Sequence, residues 1–312
     1  MIISGYNVDL IRNVSGYKYV EKMNWNERSE LRDKIISAAG AVEVPLKYIP
    51  SYRNMQDEIN FIQEMNLLSM NITEETDPSI LYNEEENIFI IINDVDHILM
   101  SAKADSWDTA YQKLKPIEKN LSSNFTFQKD RNFGYLTATT PLCGNGLVFD
   151  VLLHLPAMMN KNRILTLIKK IMKMPGAMLL PFNSGSRPSA FFVLRMISKG
   201  NIEKELNFMK NIAEELCIME TAEREDLKGD EEFISYIKDR IDKYKAMEAV
   251  SFVDFLRVVD DITIYKEAIG ERIEAEKINS LLVNTQPEHL KTKGIMNEEL
   301  EKYYYKKIFE LL

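Results

Sequence analysis

Three consecutive carboxylates, Glu84, Glu85 and Glu86 of the stretch NEEE, stand directly before an apolar run. Carboxylates at a strand entrance can orient a cationic substrate group. The competing reading is a solvated turn, because charge runs at strand ends normally face water. The histidines His97, His154 and His289 are far apart, and none has a second ligand type at metal spacing, so the sequence points away from a metal centre. The chain has no G-x-x-x-x-G-K-[ST] loop, no G-x-G-x-x-G after a predicted strand and no Gly-x-Ser-x-Gly elbow. CGNG at Cys143–Gly146 is glycine-rich but short, and a tight turn accounts for it as well as a ligand loop does.

The elements that must position these groups come from hydrophobic periodicity. Runs rich in β-branched and aromatic residues predict strands over Asn87–Val95, Phe133–Thr139, Ala177–Phe182 and Phe191–Ile197. In Lys161–Met174, Ile164, Leu165, Leu167, Ile168, Ile171 and Met172 predict a helix with a broad apolar face and a solvated basic one. Phe233, Ile237, Ile241 and Tyr244 predict another over Asp230–Met247. From about Glu203 the pattern is helical almost throughout, with Glu223–Glu232 as an exposed turn between helices. The stripes Phe252, Phe255, Leu256, Val259 and Ile278, Leu281, Leu282 read as core packing.

A chain of 312 residues that is 45% hydrophobic and 28% charged has the composition of an ordinary globular protein. No apolar run reaches the roughly 20 residues of a membrane span, and MIISGYN lacks the basic start of a signal peptide. Cys143 and Cys217 form no disulfide framework and fit a reducing cytoplasm. A net charge of -9 argues against non-specific nucleic-acid binding and against an anionic membrane surface.

Several stretches carry a resemblance. YNEEENIFI is similar to the N-E-E-D-H-x-R segment of the guanido (phosphagen) kinases, and FGYLTATTPLCGNGLVFDVLLHLPAM resembles their F-G-Y-L-T-S-C-P-T-N-x-G-T-G-x-R-A-S-V-x-L-H-L-P-A block. SGYNVDLIRN resembles their S-S-R-x-R-L-A-R-N, and KINSLLVNTQPEHLKT resembles a segment of one subgroup, the bacterial protein-arginine kinases (McsB). The matches keep the family's order over nearly the whole chain. Such kinases transfer the γ-phosphoryl of ATP to a guanidinium nitrogen by positioning and electrostatics, with arginines on the phosphates, Mg²⁺, and carboxylates on the guanidinium.

Carried over by position, two phosphate-binding arginines of the family fall at Asn7 and Asp9, and a third survives as Arg12. The arginine after D-H-x falls at Phe89, the reactive cysteine at Thr139 and the next arginine at Val148; Cys143 lies four residues beyond the cysteine's place. In MLLPFNSGSR a further arginine falls at Leu179 and a carboxylate at Ser184. Glu84 and Glu85 match N-E-E, and Glu85 takes the place of the guanidinium-orienting carboxylate. Near the end, LEKYYYKK (Leu300–Lys307) lacks both arginines of the subgroup's R-D-x-x-R-A phosphoarginine motif. A charge-assisted hydrogen bond contributes roughly 1.5–3 kcal/mol, so the four arginines absent at Asn7, Asp9, Phe89 and Val148 remove on the order of 6–12 kcal/mol. Ordinary ATP affinities amount to about 4–8 kcal/mol. A carboxylate at Asp9 adds repulsion.

The resemblance therefore implies an α/β (α+β) guanido-kinase fold, a mainly antiparallel sheet flanked by helices, with a catalytic-type domain over 1–225 and a helical C-terminal region over 226–312. The expected function is that of a non-catalytic pseudokinase, regulatory or scaffolding, with Glu84 and Glu85 vestigial, Arg12 the retained motif arginine, and no cofactor or metal. Its expected partner is a protein, an active arginine kinase or a quality-control component, in a homo- or heterodimer. The alternative is an active, divergent ATP:guanido phosphotransferase acting on protein arginine with ATP and Mg²⁺, in which Arg12, Arg187 and Arg195 replace the absent cations. A third reading is a cleft repurposed for an uncharged or cationic ligand, with Phe89, Val148 and Leu179 apolar and Glu84, Glu85 and Asp9 acidic.

Overall fold

The computed structural model describes residues 2–40, 44–65, 75–182 and 188–312. Along the chain run β1 (Ile2–Arg12), α1 (Trp25–Ala39), β2 (Lys47–Ile49), α2 (Gln56–Met65), β3 (Ser79–Asn83), β4 (Ile88–Ile92), β5 (Ile98–Ala104), α3 (Trp107–Asn124), β6 (Lys129–Asp130), β7 (Gly134–Tyr135) and β8 (Leu147–His154). They are followed by α4 (Pro156–Asn160), α5 (Ile164–Ile171), β9 (Ala177–Pro181), β10 (Phe191–Ser198), α6 (Ile202–Glu225), α7 (Glu231–Lys245), α8 (Phe252–Ala268), α9 (Ala275–Asn284), α10 (Pro287–Thr292) and α11 (Asn297–Leu311). The expected mixed architecture is present: a large sheet in the order β2-β3-β4-β5-β1-β8-β10-β9, with helices flanking it. The ladders joining β2, β3, β4, β5 and β1 are antiparallel.

The chain divides into two compact units, one of residues 5–150 and 195–208, the other of 1–4, 151–194 and 209–312. In the first, β1 alternates over Asn7–Leu10. Val8 and Leu10 face one side, Asn7 and Asp9 the other, and all four are buried. Helix α3 is capped by the Ser106 side chain, which accepts the Thr109 N–H, and buries Trp107, Ala110, Leu114, Ile117 and Leu121 at helical spacing. On the face bearing Phe89, a second cluster joins Ile59 and Ile62 of α2 to Ile49, Ile80, Tyr82 and Ile91.

In the other unit the segment LLHLPA is held by polar contacts as much as by packing. His154 Nε2 lies 2.8 Å from Asp260 Oδ1, Leu155 N–H donates to Ala190 O, and the N–H groups of Ala157 and Met158 donate to Glu220, all buried. Among the described residues no helix is long and apolar enough to cross a membrane.

Two local expectations are corrected. Phe133–Thr139 is a strand only at Gly134–Tyr135. The Asp130 carboxylate accepts the N–H groups of Asn132 and Phe133, Thr137 Oγ1 donates to Thr139 O, and Pro141 enters a 3₁₀ turn, so local bonds outcompete a ladder. The helix expected over Lys161–Met174 spans Ile164–Ile171, because Asn162 takes φ +56° just before it; Ile164, Leu167 and Ile171 are buried, but Leu165 and Met172 are exposed.

Candidate functional site

Strand pairing brings Asn7, Asp9 and Phe89, three of the residues at the family's arginine positions, to one sheet face. Asp9 is opposite Ser101, which is opposite Phe89 on the next strand, and Asn7 is opposite Lys103. The row is polar at β1 and internally bonded: Asn7 Nδ2 donates to Asp9 Oδ1 at 2.9 Å and Ser101 Oγ donates to Asn7 Oδ1 at 3.1 Å. Asn7 is fully buried and Asp9 is 4% exposed.

On β8, Asp150 is fully buried, and Arg195 of β10 grips it with two parallel bonds, Nε to Oδ1 at 2.8 Å and Nη2 to Oδ2 at 2.6 Å. The indole N–H of Trp107 donates to the Asp150 carbonyl at 2.8 Å and fixes that stretch of strand. Burial lifts the Asp150 carboxyl to about 6; Arg195 pulls it down and the negative charge of Asp9 adds to the rise. Burial works against the Arg195 charge, but Asp150 and Asp9 outweigh it and raise the guanidinium above its ordinary value. Arg195 is thus held by two internal anions.

Arg12 is engaged elsewhere. Its Nε and Nη2 donate to Glu118 Oε1 at 2.9 and 2.5 Å, its Nη1 to the carbonyls of Ile11 and Asn145 at 2.7 and 3.0 Å, and its guanidinium lies 3.6 Å from the centroid of the Tyr135 ring. Gly146, at φ +57°, permits this approach, since a Cβ there would stand 2.6 Å from Nη1. That contact gives the CGNG turn its last glycine.

Glu84, Glu85 and Glu86 form the exposed turn between β3 and β4, closed by Asn83 Oδ1 accepting the Glu86 N–H at 2.8 Å and by Asn87 at φ +51°. Glu86 pairs with Lys113 at 3.1 Å. Phe89, on the same hairpin, is buried against Tyr82, their rings parallel at 6.5 Å. Val148 and Leu179 are also buried, and Thr139 is exposed at the start of the 3₁₀ turn. Cys143 and Cys217 are free thiols. Ser184 and Arg187 lie outside the described residues.

His97 and His154 are held in structural contacts. The Val14 N–H donates to His97 Nδ1, so Nε2 carries the proton and donates to Lys18 O, and burial lowers this pKa. No group of three or more His, Cys, Asp or Glu that could hold a metal occurs among the described residues. Sequence reasoning missed Asp150, whose signal was a lone charge inside the apolar run LVFDVLLHL, and Lys103, a half-buried amine on the Asn7 face that burial pushes down to about 8.

Residues 29–221 match the family model ATP:guanido phosphotransferase, C-terminal catalytic domain. The chain is 22% identical to the protein-arginine kinase of Clostridium perfringens (strain 13 / Type A) over 96% of this chain and 92% of the relative. It is 28% identical to that of Listeria welshimeri over 72% and 68% respectively. Among solved structures it resembles lombricine kinase, with a TM-score of 0.59 at 16% identity over 71% of this chain and 66% of the other. It also resembles the duplicated taurocyamine kinase from Schistosoma mansoni, with a TM-score of 0.57 at 15% identity over 71% and 32%.

Proposed function

The chain belongs to the ATP:guanido phosphotransferase family, and from that premise we propose that it is a protein-arginine kinase homologue working without phosphoryl transfer, as a cytoplasmic regulatory or scaffolding pseudokinase that contacts other proteins. The observation that carries this reading is the Asp9–Asp150–Arg195 cluster. Arg195, the cation best placed to replace an absent phosphate arginine, is already neutralised by a bidentate carboxylate. A triphosphate approaching it would meet Asp9 and Asp150, two like charges in a region of low dielectric. Among the other described residues, Phe89 and Val148 are buried and apolar, Arg12 is spent on Glu118 and two carbonyls, and burial weakens the Lys103 cation opposite Asn7 by lowering its pKa to about 8. These described residues are a poor fit to ATP·Mg²⁺. The partner we propose is an active arginine kinase or a quality-control protein, met as a homo- or heterodimer, and two free thiols suit a reducing compartment.

The second reading, an active kinase of protein arginine using ATP and Mg²⁺, is favoured by one feature: Glu84 and Glu85 remain exposed to solvent. Calorimetry of ATP·Mg²⁺ on the purified chain, with a protein-arginine phosphorylation assay beside it, separates the two. No heat at millimolar nucleotide and no phosphoarginine are expected. Saturable binding with turnover comparable to a working kinase overturns the proposal.

A further inference from the structure

The unit of residues 151–194 and 209–312 contains a cavity of about 630 Å³, walled by α7 and α8 and closed by the segments around Asn160 and Ala190. That volume is in the range of small-molecule sites. Two adjacent carboxylates of α8 line it, and they are satisfied very differently. Asp260 is complete: Oδ1 lies 2.8 Å from His154 Nε2, and Oδ2 accepts the Ala190 N–H at 2.7 Å. Asp261 is equally buried, its side chain 1% exposed, and its Oδ1 lies 2.9 Å from Arg240 Nη2. Its Oδ2 meets no donor among the described residues.

A buried carboxylate oxygen seldom goes without a donor, and the two arginines beside it are engaged with other groups. Arg240 spends its other arm on Asn160 Oδ1 at 2.9 Å, and its guanidinium lies 5.5 Å from the centre of the Tyr236 ring. Arg257 Nη1 is held by Asp254 at 2.5 Å. The cavity that Asp261 lines is open to a donor from a bound molecule. A bare cation placed there would meet Arg240, Lys243 and Arg257, and a bare anion would meet Asp260 and Asp261. Only a molecule carrying both charges complements the lining.

We propose that this cavity binds a small zwitterion, its ammonium donating to Asp261 Oδ2 and its anionic end directed to Lys243 and Arg257, with the rings of Tyr236 and Tyr244 alongside. No residue of this site occupies one of the family's phosphate-arginine positions, so the inference stands or falls separately from the function proposed above. Burial lifts the Asp261 carboxyl to about 6 against the pull of Arg240, so it is ionised and able to receive an ammonium at neutral pH.

The test is calorimetry on the full chain at neutral pH with glycine, β-alanine, γ-aminobutyrate and 5-aminovalerate, and with n-butylamine and butyrate as the two halves. At least one zwitterion is expected to saturate, with neither half doing so. Asp261→Asn should weaken it at least tenfold. Because that variant alters a buried pair, Lys243→Ala, at the exposed rim, serves as the second probe: it should weaken the same zwitterion several-fold with an unchanged melting temperature. The proposal is overturned if no zwitterion saturates by 50 mM, if n-butylamine binds as tightly as its zwitterion, or if both variants bind like the parent.

Discussion

Asp150 and Asp261 are two buried carboxylates in different units of the same chain, both lifted to about 6 by burial and both facing an arginine. Around Asp150 everything is closed: Arg195 takes both oxygens, Trp107 holds the backbone, and Asn7, Asp9 and Ser101 bond to one another beside it. Around Asp261 the arginine reaches one oxygen, and the other opens on a cavity. The same residue type with the same shifted titration therefore marks a sealed structural pair in one place and an incomplete site in the other. What separates them is the count of donors, not the charge or the depth.

The strongest way to break this comparison is to unseal Asp150. Arg195→Ala leaves its carboxylate buried without a counter-ion, which costs about 3–5 kcal/mol. The melting temperature should then fall by roughly 10 °C at neutral pH. Adding Asp150→Leu to Arg195→Met should recover most of that loss, because an apolar pair of similar volume avoids the desolvation of both ions. A single variant that melts like the parent would mean that Asp150 reaches solvent and is not sealed.

A smaller effect sharpens the other side. The Asp261 carboxyl sits above its ordinary value in the folded chain, so the folded state binds more protons than the unfolded state between about pH 4 and 6, and ionisation across that window reduces stability. The groups facing it are Arg240 and Tyr244 of α7 and Asp260 and Arg257 of α8. Asp261→Asn removes the ionisation. The variant's stability relative to the parent should therefore rise with pH through that window, by up to about 3 kcal/mol. Chemical denaturation at steps between pH 4 and 7 measures it, and a flat or falling difference would place Asp261 in water.

Much of the architecture was legible because apolar periodicity reports it directly: β4, β9, β10 and α7 lie close to where their sequences place them. The strands that escaped are β1, β2, β3, β5, β6 and β8; β2, β3 and β6 are short, and the pattern of β1, β5 and β8 is interrupted by Asn7 and Asp9, by Ser101 and Lys103, and by Asp150. These are buried polar residues that only cross-strand neighbours can explain. The motif positions were legible one by one, but their use was not. Nothing in the spacing of Arg12 says that Glu118, 106 residues away, will hold it, and nothing around Asp261 in sequence says that one of its oxygens faces a cavity. Hydrogen-bond partners distant in sequence decide both.

The smallest expected effect bears on the two motif features that survive together in sequence, Arg12 and the Glu84–Glu85 pair. Arg12 is 4% exposed in its side chain and carries four donor contacts, so Arg12→Ala should cost about 3 kcal/mol. Glu84→Gln and Glu85→Gln change exposed residues at a turn whose closing bonds come from Asn83 and from backbone, so each should stay within about 0.5 kcal/mol of the parent by chemical denaturation. The contrast matters because stability and chemistry then come apart cleanly. With folding untouched, any arginine phosphorylation that Glu85→Gln abolishes would belong to a working carboxylate and would favour the active-kinase reading. A variant indistinguishable from the parent in both stability and phosphoarginine formation leaves Glu85 as a solvated turn residue on a fold that no longer uses it.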